Sequence, residues 1–429
     1  MATKNWRGDA TAVAEVQTIT VGGTWANADT ATMTMNGKSV VVTFGNGVPT
    51  TAQVAAALKA AWEGDAVTGY GETRNITGNL IPEFTEATAT VVASVVTLTH
   101  DTKGLPFTLS VSETSTLGTL ALATSIAATG PNRLNEAANW SPVNVPIAGD
   151  DVWFDDSDVA CLYNLDALAA VTLNSLRITK RFTANIGLPR INTSNSVGDY
   201  IEYRPQYLEM AGVTTTVEIQ ANSSRLKIDT KATAAVVNVD SAGSGAVSEI
   251  PAILWKGTNA ANELNVRRGQ VGVALFAGEL ATIGNLRVSY DTNVLGDAAV
   301  QLGQGVTWTT LDQSGGSIVI QTGGTTINKT AGELTIADGS ITTMNLDGGD
   351  TFYNGNDTLT TVRVSQALFD LSRDMRACTI TTLDLYAGAK FKDPFKRVGS
   401  LAFDLERTAL TEVELDLGTN LKLTRGAVT

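Results

Sequence analysis

Histidine and cysteine are almost missing from this chain: in 429 residues there is one histidine, His100, and two cysteines, Cys161 and Cys378. Zinc sites and nucleophile–histidine pairs need several such side chains together, so most metalloenzyme and hydrolase chemistries fall away. Two cysteines half a chain apart make no disulfide framework, and folding in a reducing cytoplasm is expected. Carboxylate chemistry survives, because 43 residues are acidic.

Positive charge is scarce as well. Lys and Arg number 30 against 43 Asp and Glu, a formal net charge of -13, which argues against a sequence-independent grip on nucleic acid phosphates. Long apolar runs are absent too: the opening Met-Ala-Thr-Lys-Asn-Trp-Arg-Gly-Asp lacks the apolar core of a Sec-type signal, and no later stretch reaches the roughly 18 residues of a membrane helix. Neither export by that route nor membrane anchoring is expected.

What is present is β-rich. Thr18-Ile19-Thr20-Val21, Thr30-Ala31-Thr32-Met33-Thr34-Met35 and Ser39-Val40-Val41-Val42-Thr43-Phe44 read as strands, and Asn36-Gly37 is a two-residue hairpin turn. One helix is predicted, about 51–62, capped by Thr50 or Thr51, with Val54, Ala57, Leu58, Ala61 and Trp62 on one face and Gly64 ending it. Strands return at 87–92, 95–100 and 107–111. Thr129-Gly130-Pro131-Asn132, Asn139-Trp140-Ser141-Pro142 and Val145-Pro146 then mark a boundary of turn formers, over which Trp140 is expected to pack.

Beyond about residue 171, short Thr, Val, Ile and Leu runs alternate with Gly, Asn and Asp. A Thr-Thr-apolar motif recurs at Thr309-Thr310-Leu311, Thr325-Thr326-Ile327, Thr342-Thr343-Met344, Thr360-Thr361-Val362 and Thr381-Thr382-Leu383. Its spacing of roughly 16 to 21 residues suits one coil of a parallel β-solenoid. Second runs such as Ser317-Ile318-Val319-Ile320 and Glu333-Leu334-Thr335-Ile336 give each coil at least two strands, and one Thr of each pair is expected to face outward onto its neighbour. The fold class read from this is mainly β: an arm at 1–15, a small α+β module at 16–126, a linker at 127–148 and a β-solenoid, parallel β-helix-like body at 149–429. Antiparallel β-sandwich domains are the alternative.

The candidate sites each have an ordinary structural reading beside them. Asp150, Asp151, Asp155, Asp156 and Asp158 form the densest acidic cluster, a calcium-like set without the spacing of a known calcium loop; solvated turn and strand-edge residues are the simpler account. Asp347-Gly348-Gly349-Asp350 and Asn354-Gly355-Asn356-Asp357 are rich in oxygen, and are also what tight turns require. Asp199, Tyr200, Glu202, Tyr203, Arg204 and Tyr207 combine carboxylates with aromatics as sugar-binding grooves do, with Glu202 and Glu209 as a conceivable acid–base pair; a partly buried aromatic ladder is the competing account. Arg7-Gly8-Asp9 matches an adhesion tripeptide of almost no information, and His100 closes a strand before a turn, a structural position. Phosphate-loop endings are absent, so no catalytic, metal or cofactor residue is assigned.

Met1-Ala-Thr-Lys-Asn-Trp-Arg-Gly-Asp-Ala, Thr20-Val21-Gly22-Gly23-Thr24-Trp25 through Asn36-Gly37-Lys38, the predicted helix, and Thr97-Leu98-Thr99 through Lys103-Gly104-Leu105-Pro106-Phe107-Thr108 together resemble small α+β modules of tailed-phage virion proteins. Asn139-Trp140-Ser141-Pro142, Asp150-Asp151-Val152-Trp153-Phe154 and Asp312-Gln313-Ser314-Gly315-Gly316 are similar to a family of uncharacterised proteins in planctomycete and phage genomes. The resemblance implies a virion structural role and carries no catalytic residue onto the chain. The expectation is a non-enzymatic capsid decoration or head-surface protein that docks on the major capsid protein or another virion protein, as a homotrimer, without nucleic acid or membrane contact. A tail fibre or tailspike that binds or cleaves a host surface glycan, and a bacterial surface adhesin, are the alternatives.

Overall fold

Two kinds of strand pairing divide the chain. The computed structural model describes residues 2–45, 47–65, 73–74, 81–193, 197–214, 216–241, 251–289, 298–399, 403–405 and 412–418, and among these the protein is mainly β with one α-helix.

From Val16 to Ile126 the pairing is antiparallel. One four-stranded sheet runs in the order Ala87–Val92, Val95–His100, Val16–Gly23, Gly118–Ile126; a second runs Thr73–Arg74, Lys38–Thr43, Thr30–Met35, Ser110–Glu113. The hairpin between Thr30–Met35 and Lys38–Thr43 closes through Asn36 and Gly37, both with positive φ (51° and 69°), the primed turn whose twist matches the strands. The helix Thr51–Trp62 starts in a capping box, with the Gln53 N–H donating to the Thr50 side chain and the Gln53 side chain accepting from the Thr50 N–H. It stops at Gly64, whose φ of 75° lets the Asp65 N–H reach back to the Ala60 carbonyl at 2.8 Å. The buried helix face, Val54, Ala55, Ala57, Leu58, Ala61 and Trp62, shares a core with Ile19, Met33, Val42, Leu98 and Phe84. Trp62 stacks on Phe84 at 4.4 Å and donates its indole N–H to the Ala87 carbonyl at 2.7 Å.

Outside that segment the long pairings are parallel, each strand bonding to the strand one unit ahead. One ladder runs Asp151–Phe154, Ser175–Ile178, Val217–Ile219, Val236–Asp240, Glu263–Val273, Ala281–Val288 and on through Thr379–Leu385 to Phe403–Leu405. A second, interleaved with it, includes Leu226–Asp229, Ile253–Lys256, Ala298–Leu302, Gly349–Tyr353, Ala367–Asp370 and Lys390–Lys392. Residues 3–6, read as part of an arm, are strand Thr3–Trp6, parallel to Asp151–Phe154 and antiparallel to Trp140–Ser141. Trp6, Trp140 and Phe154 pack edge to face or tilted at 5.2 to 5.9 Å and seal that end.

The Thr-Thr motif sets the register. Thr310, Thr326, Thr343, Thr361 and Thr382 are successive partners, and so are Leu311, Ile327, Met344, Val362 and Leu383, all five of the latter buried. Both threonines of a pair face outward rather than one. Leu359 and Val362 point inward three residues apart, so the chain breaks its two-residue alternation at Thr360-Thr361 and turns a corner. Trp308 fits inside because its partner is glycine: a Cβ at Gly324 would lie 2.2 Å from the indole ring.

Candidate functional site

The aromatic and acidic run at Asp199 to Tyr207 lies where the antiparallel segment meets the parallel ladders. Glu86 ends the short helical turn Pro82–Glu86, and its carboxylate accepts from the Tyr200 hydroxyl, from the Tyr203 hydroxyl at 2.9 Å and from the Arg204 guanidinium. Arg204 lies over the Tyr203 ring at 4.6 Å. Glu202 accepts from the Arg204 backbone N–H at 3.1 Å and from Asn192 at 3.3 Å, with 1% of its side chain exposed. Nearby, Asn36 donates to Glu83 at 2.6 Å and to the Ile201 carbonyl at 3.1 Å, while Lys38 pairs with Glu83 at 2.8 Å. The run that resembled a sugar groove is therefore largely a buried seam. Burial, reinforced by Glu86, pushes the Tyr200 and Tyr203 phenols upward, so both stay protonated donors.

His100 borders the seam. Its Nδ1 accepts the Thr102 N–H at 3.0 Å, and its Nε2 is buried without a hydrogen-bond partner, 3.9 Å from Glu86. Burial holds the imidazole below its ordinary range, against the pull of Glu86, so it is neutral near pH 7.

Beside the seam an open depression of about 530 Å³ is lined by Glu202, Tyr207, Glu209, Lys256 and Glu279, among others. Glu202, Glu209 and Glu279 are engaged: Glu202 in the seam, Glu209 with Lys231 at 2.7 Å, and Glu279 accepting from the Phe276 N–H at 3.1 Å. Lys256 lies 4.2 Å over the Tyr207 ring.

Three of the five acidic cluster residues are spent on hydrogen bonds, and the other two, Asp156 and Asp158, are exposed to solvent. Asp150 accepts from the Ala2 N–H at 3.0 Å, Asp151 from Asn174 at 2.7 Å, and Asp155 from Thr179 and Arg181. Asp156 has a φ of 52°, a turn conformation. Among the described residues no three His, Cys, Asp or Glu side chains gather as a metal-holding group. In Asp347-Gly348-Gly349-Asp350 the Gly348 carbonyl accepts from Lys329 at 2.6 Å, and Asp357 accepts the Gly339 N–H at 3.0 Å. Arg7-Gly8-Asp9 leaves the first strand through a turn with the Arg7 N–H on the Asn139 carbonyl. Cys161 and Cys378 are buried free thiols, both pushed up by burial.

One surface feature was not singled out from the sequence. Glu218, Asn238, Asn265, Arg287, Asp312, Asn328, Asn345, Arg363 and Asp384 are successive partners on the outside of the first ladder. Asn238 donates to Glu218 at 2.8 Å, Asn265 to Asn238 at 3.0 Å, Asn328 to Asp312 at 2.9 Å and Asn345 to Asn328 at 2.8 Å; Arg363 pairs with Asp384 at 3.4 Å. Each amide can donate to one neighbour and accept from the other, so the stack bonds to itself. The signal was the residue after each Thr-Thr-apolar motif: Asp312, Asn328, Asn345, Arg363, Asp384. Depressions of about 450 and 330 Å³ open along this stack, near Arg287 and Asp312 and near Asn345 and Arg363.

Comparison with protein-family models, with curated proteins and with solved structures gives no match. Among the described residues no helix is long and apolar enough to cross a membrane.

Proposed function

We propose that this chain is a non-enzymatic structural protein of a virus particle, a capsid decoration or head-surface protein, in which a β-solenoid body carries an α+β docking module. The observation that carries the reading is the unbroken register of the outer stack from Glu218 to Asp384 above the buried column Leu311, Ile327, Met344, Val362 and Leu383. Coils stacked in this way make a stiff body whose strength grows with each neighbour and needs no disulfide. The commitment of Glu202 and Glu209 to a seam and an ion pair, rather than to each other, supports a mechanical role for the acidic residues. A net charge of -13 keeps coated particles apart. The partner in this reading is the major capsid protein or another virion protein, and the assembly is a homotrimer, by analogy with local threefold symmetry on particle surfaces.

Antibody labelling of purified particles in the electron microscope tests the reading. Label over the head is expected; particles without label overturn it. Excising residues 16–126 while keeping the flanking strands is expected to abolish docking, and retained docking rejects the module as the anchor. The depressions along the outer stack favour a second reading, a tail fibre whose polar face holds a host glycan, and label confined to the tail tip selects it.

A further inference from the structure

In a chain with an excess of acid, three cations converge without one. Arg190, Arg225 and Lys227 line a pocket of about 210 Å³ floored by Phe276 and Leu254. Among the described residues no carboxylate forms an ion pair with any of the three. Arg225 spends its Nε–H on the Gly187 carbonyl at 2.8 Å, and Arg190 lies 5.0 Å over the Phe276 ring. Lys227 is 2% exposed, donates to the neutral Gln206 side chain at 3.2 Å and lies 5.6 Å over the same ring. The one acid among the described residues that acts on it, Glu279, accepts from the Phe276 N–H and the Tyr207 hydroxyl and lines the adjoining depression, which Arg190 and Phe276 also border, rather than this pocket.

A buried ammonium beside two guanidiniums is costly unless something negative shares the space. Burial, then Arg225, and with them Lys256 and Arg190, press the Lys227 ammonium down to about 8, against Glu279. An oxyanion relieves all three cations at once, and the planar forks of two arginines suit a carboxylate. The floor sets the rest of the ligand. Phe276 and Leu254 offer an apolar face, and the volume is below the range of about 300–1,000 Å³ usual for drug-sized molecules, so the anion is small and carries an apolar body.

We propose that Arg190, Arg225 and Lys227 form a binding site for a small organic carboxylate whose apolar part rests on Phe276. The site stands independently of the virion reading.

Benzoate is the probe, with acetate and inorganic phosphate beside it, titrated into the whole protein at pH 7 and low salt by calorimetry and by thermal unfolding. Benzoate is expected to bind, to raise the melting temperature with concentration, and to bind more tightly than acetate or phosphate. Arg190→Ala alters an exposed side chain and is expected to weaken benzoate binding by about tenfold or more. Lys227→Met is expected to weaken it likewise while raising the melting temperature of the free protein, since it removes the buried charge. No benzoate binding by the wild-type chain overturns the proposal. Unchanged affinity in Arg190→Ala overturns it too, and phosphate binding at least as tight as benzoate overturns the assignment to an apolar carboxylate.

Discussion

Arg204 reaches across the seam to Glu86, 118 residues earlier in the chain, and joins a carboxylate that already holds the hydroxyls of Tyr200 and Tyr203. Both partners are more than nine-tenths buried. Arg204 also pairs with Glu202, 3.6 Å from its Nε. Removing Arg204 therefore leaves two carboxylates in a low-dielectric seam without their cation, which costs about 3–5 kcal/mol, whereas removing Glu86 leaves Arg204 one partner and removing both costs less than the sum. Arg204→Met is expected to destabilise by that amount in denaturant unfolding, and Glu86→Gln by less, because Glu202 still faces the guanidinium. The double variant is expected to fall well short of the sum, and additive losses would mean that the two groups do not act together.

The same seam makes stability depend on acidity through His100. Its folded-state pKa is lowered from 6.5, so between the two values the unfolded chain binds more protons. The stabilisation is complete above about 6.5 and is lost as pH falls from there through the folded value. The charged groups around the ring are Glu86, Asp101 and Arg204. Glu15, whose carboxyl is raised chiefly by burial, opposes the trend at lower pH, so the comparison is made between variants. Melting temperatures of wild type and His100→Asn between pH 7.5 and 5 are expected to converge as pH falls, since the Asn side chain can still accept the Thr102 N–H without titrating. Parallel curves would remove His100 from the account.

Lys329 carries a charge in the interior of the second segment. It is fully buried, its ammonium donates to the Gly348 carbonyl, and burial brings it down to about 8. The unfolded value is 10.5, so the charge costs stability below pH 8 and that cost is relieved as pH rises from 8 to 10.5. Lys329→Met is expected to stabilise at pH 7 by on the order of 1–3 kcal/mol and to flatten the alkaline rise. Chemical denaturation at pH 7 and pH 10 reads both effects.

Register is testable by chemistry. Thr343 and Thr361 are in-register neighbours, and parallel strands lie about 4.8 Å apart, within the span a disulfide bridges. Thr343→Cys with Thr361→Cys is expected to cross-link on oxidation, since both sites face the surface and the native thiols are buried. Peptide mapping locates the bond, and a partner other than the neighbouring strand would contradict the ladder.

Packing above and below that register differs in weight. Ile327→Ala is expected to cost about 2–5 kcal/mol by opening the buried column, while Asn328→Ala, one residue on, costs about 0.5–1.5 kcal/mol for its amide bonds. Equilibrium unfolding distinguishes the two, and equal losses would mean that the outer stack is as critical as the core.

What could be read in advance was local or periodic. Asn36-Gly37 and Thr50 with Gln53 act within four residues, and the Thr-Thr motif announces itself by repetition, so these features need no knowledge of distant partners. The seam was opaque for the opposite reason. Tyr200, Tyr203 and Arg204 look like a ligand-binding set until Glu86 is placed beside them, and nothing near them in sequence names that carboxylate. The pairing of Thr3–Trp6 with Asp151–Phe154 is hidden in the same way, because four residues carry too short an alternation to identify a partner.

That first strand has a consequence in time. On the ribosome, residues 3–6 emerge before their neighbours Trp140–Ser141 and Asp151–Phe154 exist, and at about 5–20 residues per second the wait is roughly 7 to 30 s. The whole antiparallel segment emerges within that interval and has its own core, so it is able to close before the loop that contains it. Once folded it brings Val13 and Thr129 together in a bridge, turning a gap of more than a hundred residues into a short tether for the waiting strand. The inserted segment thereby acts as a clamp that readies the nascent chain for its first parallel pairing.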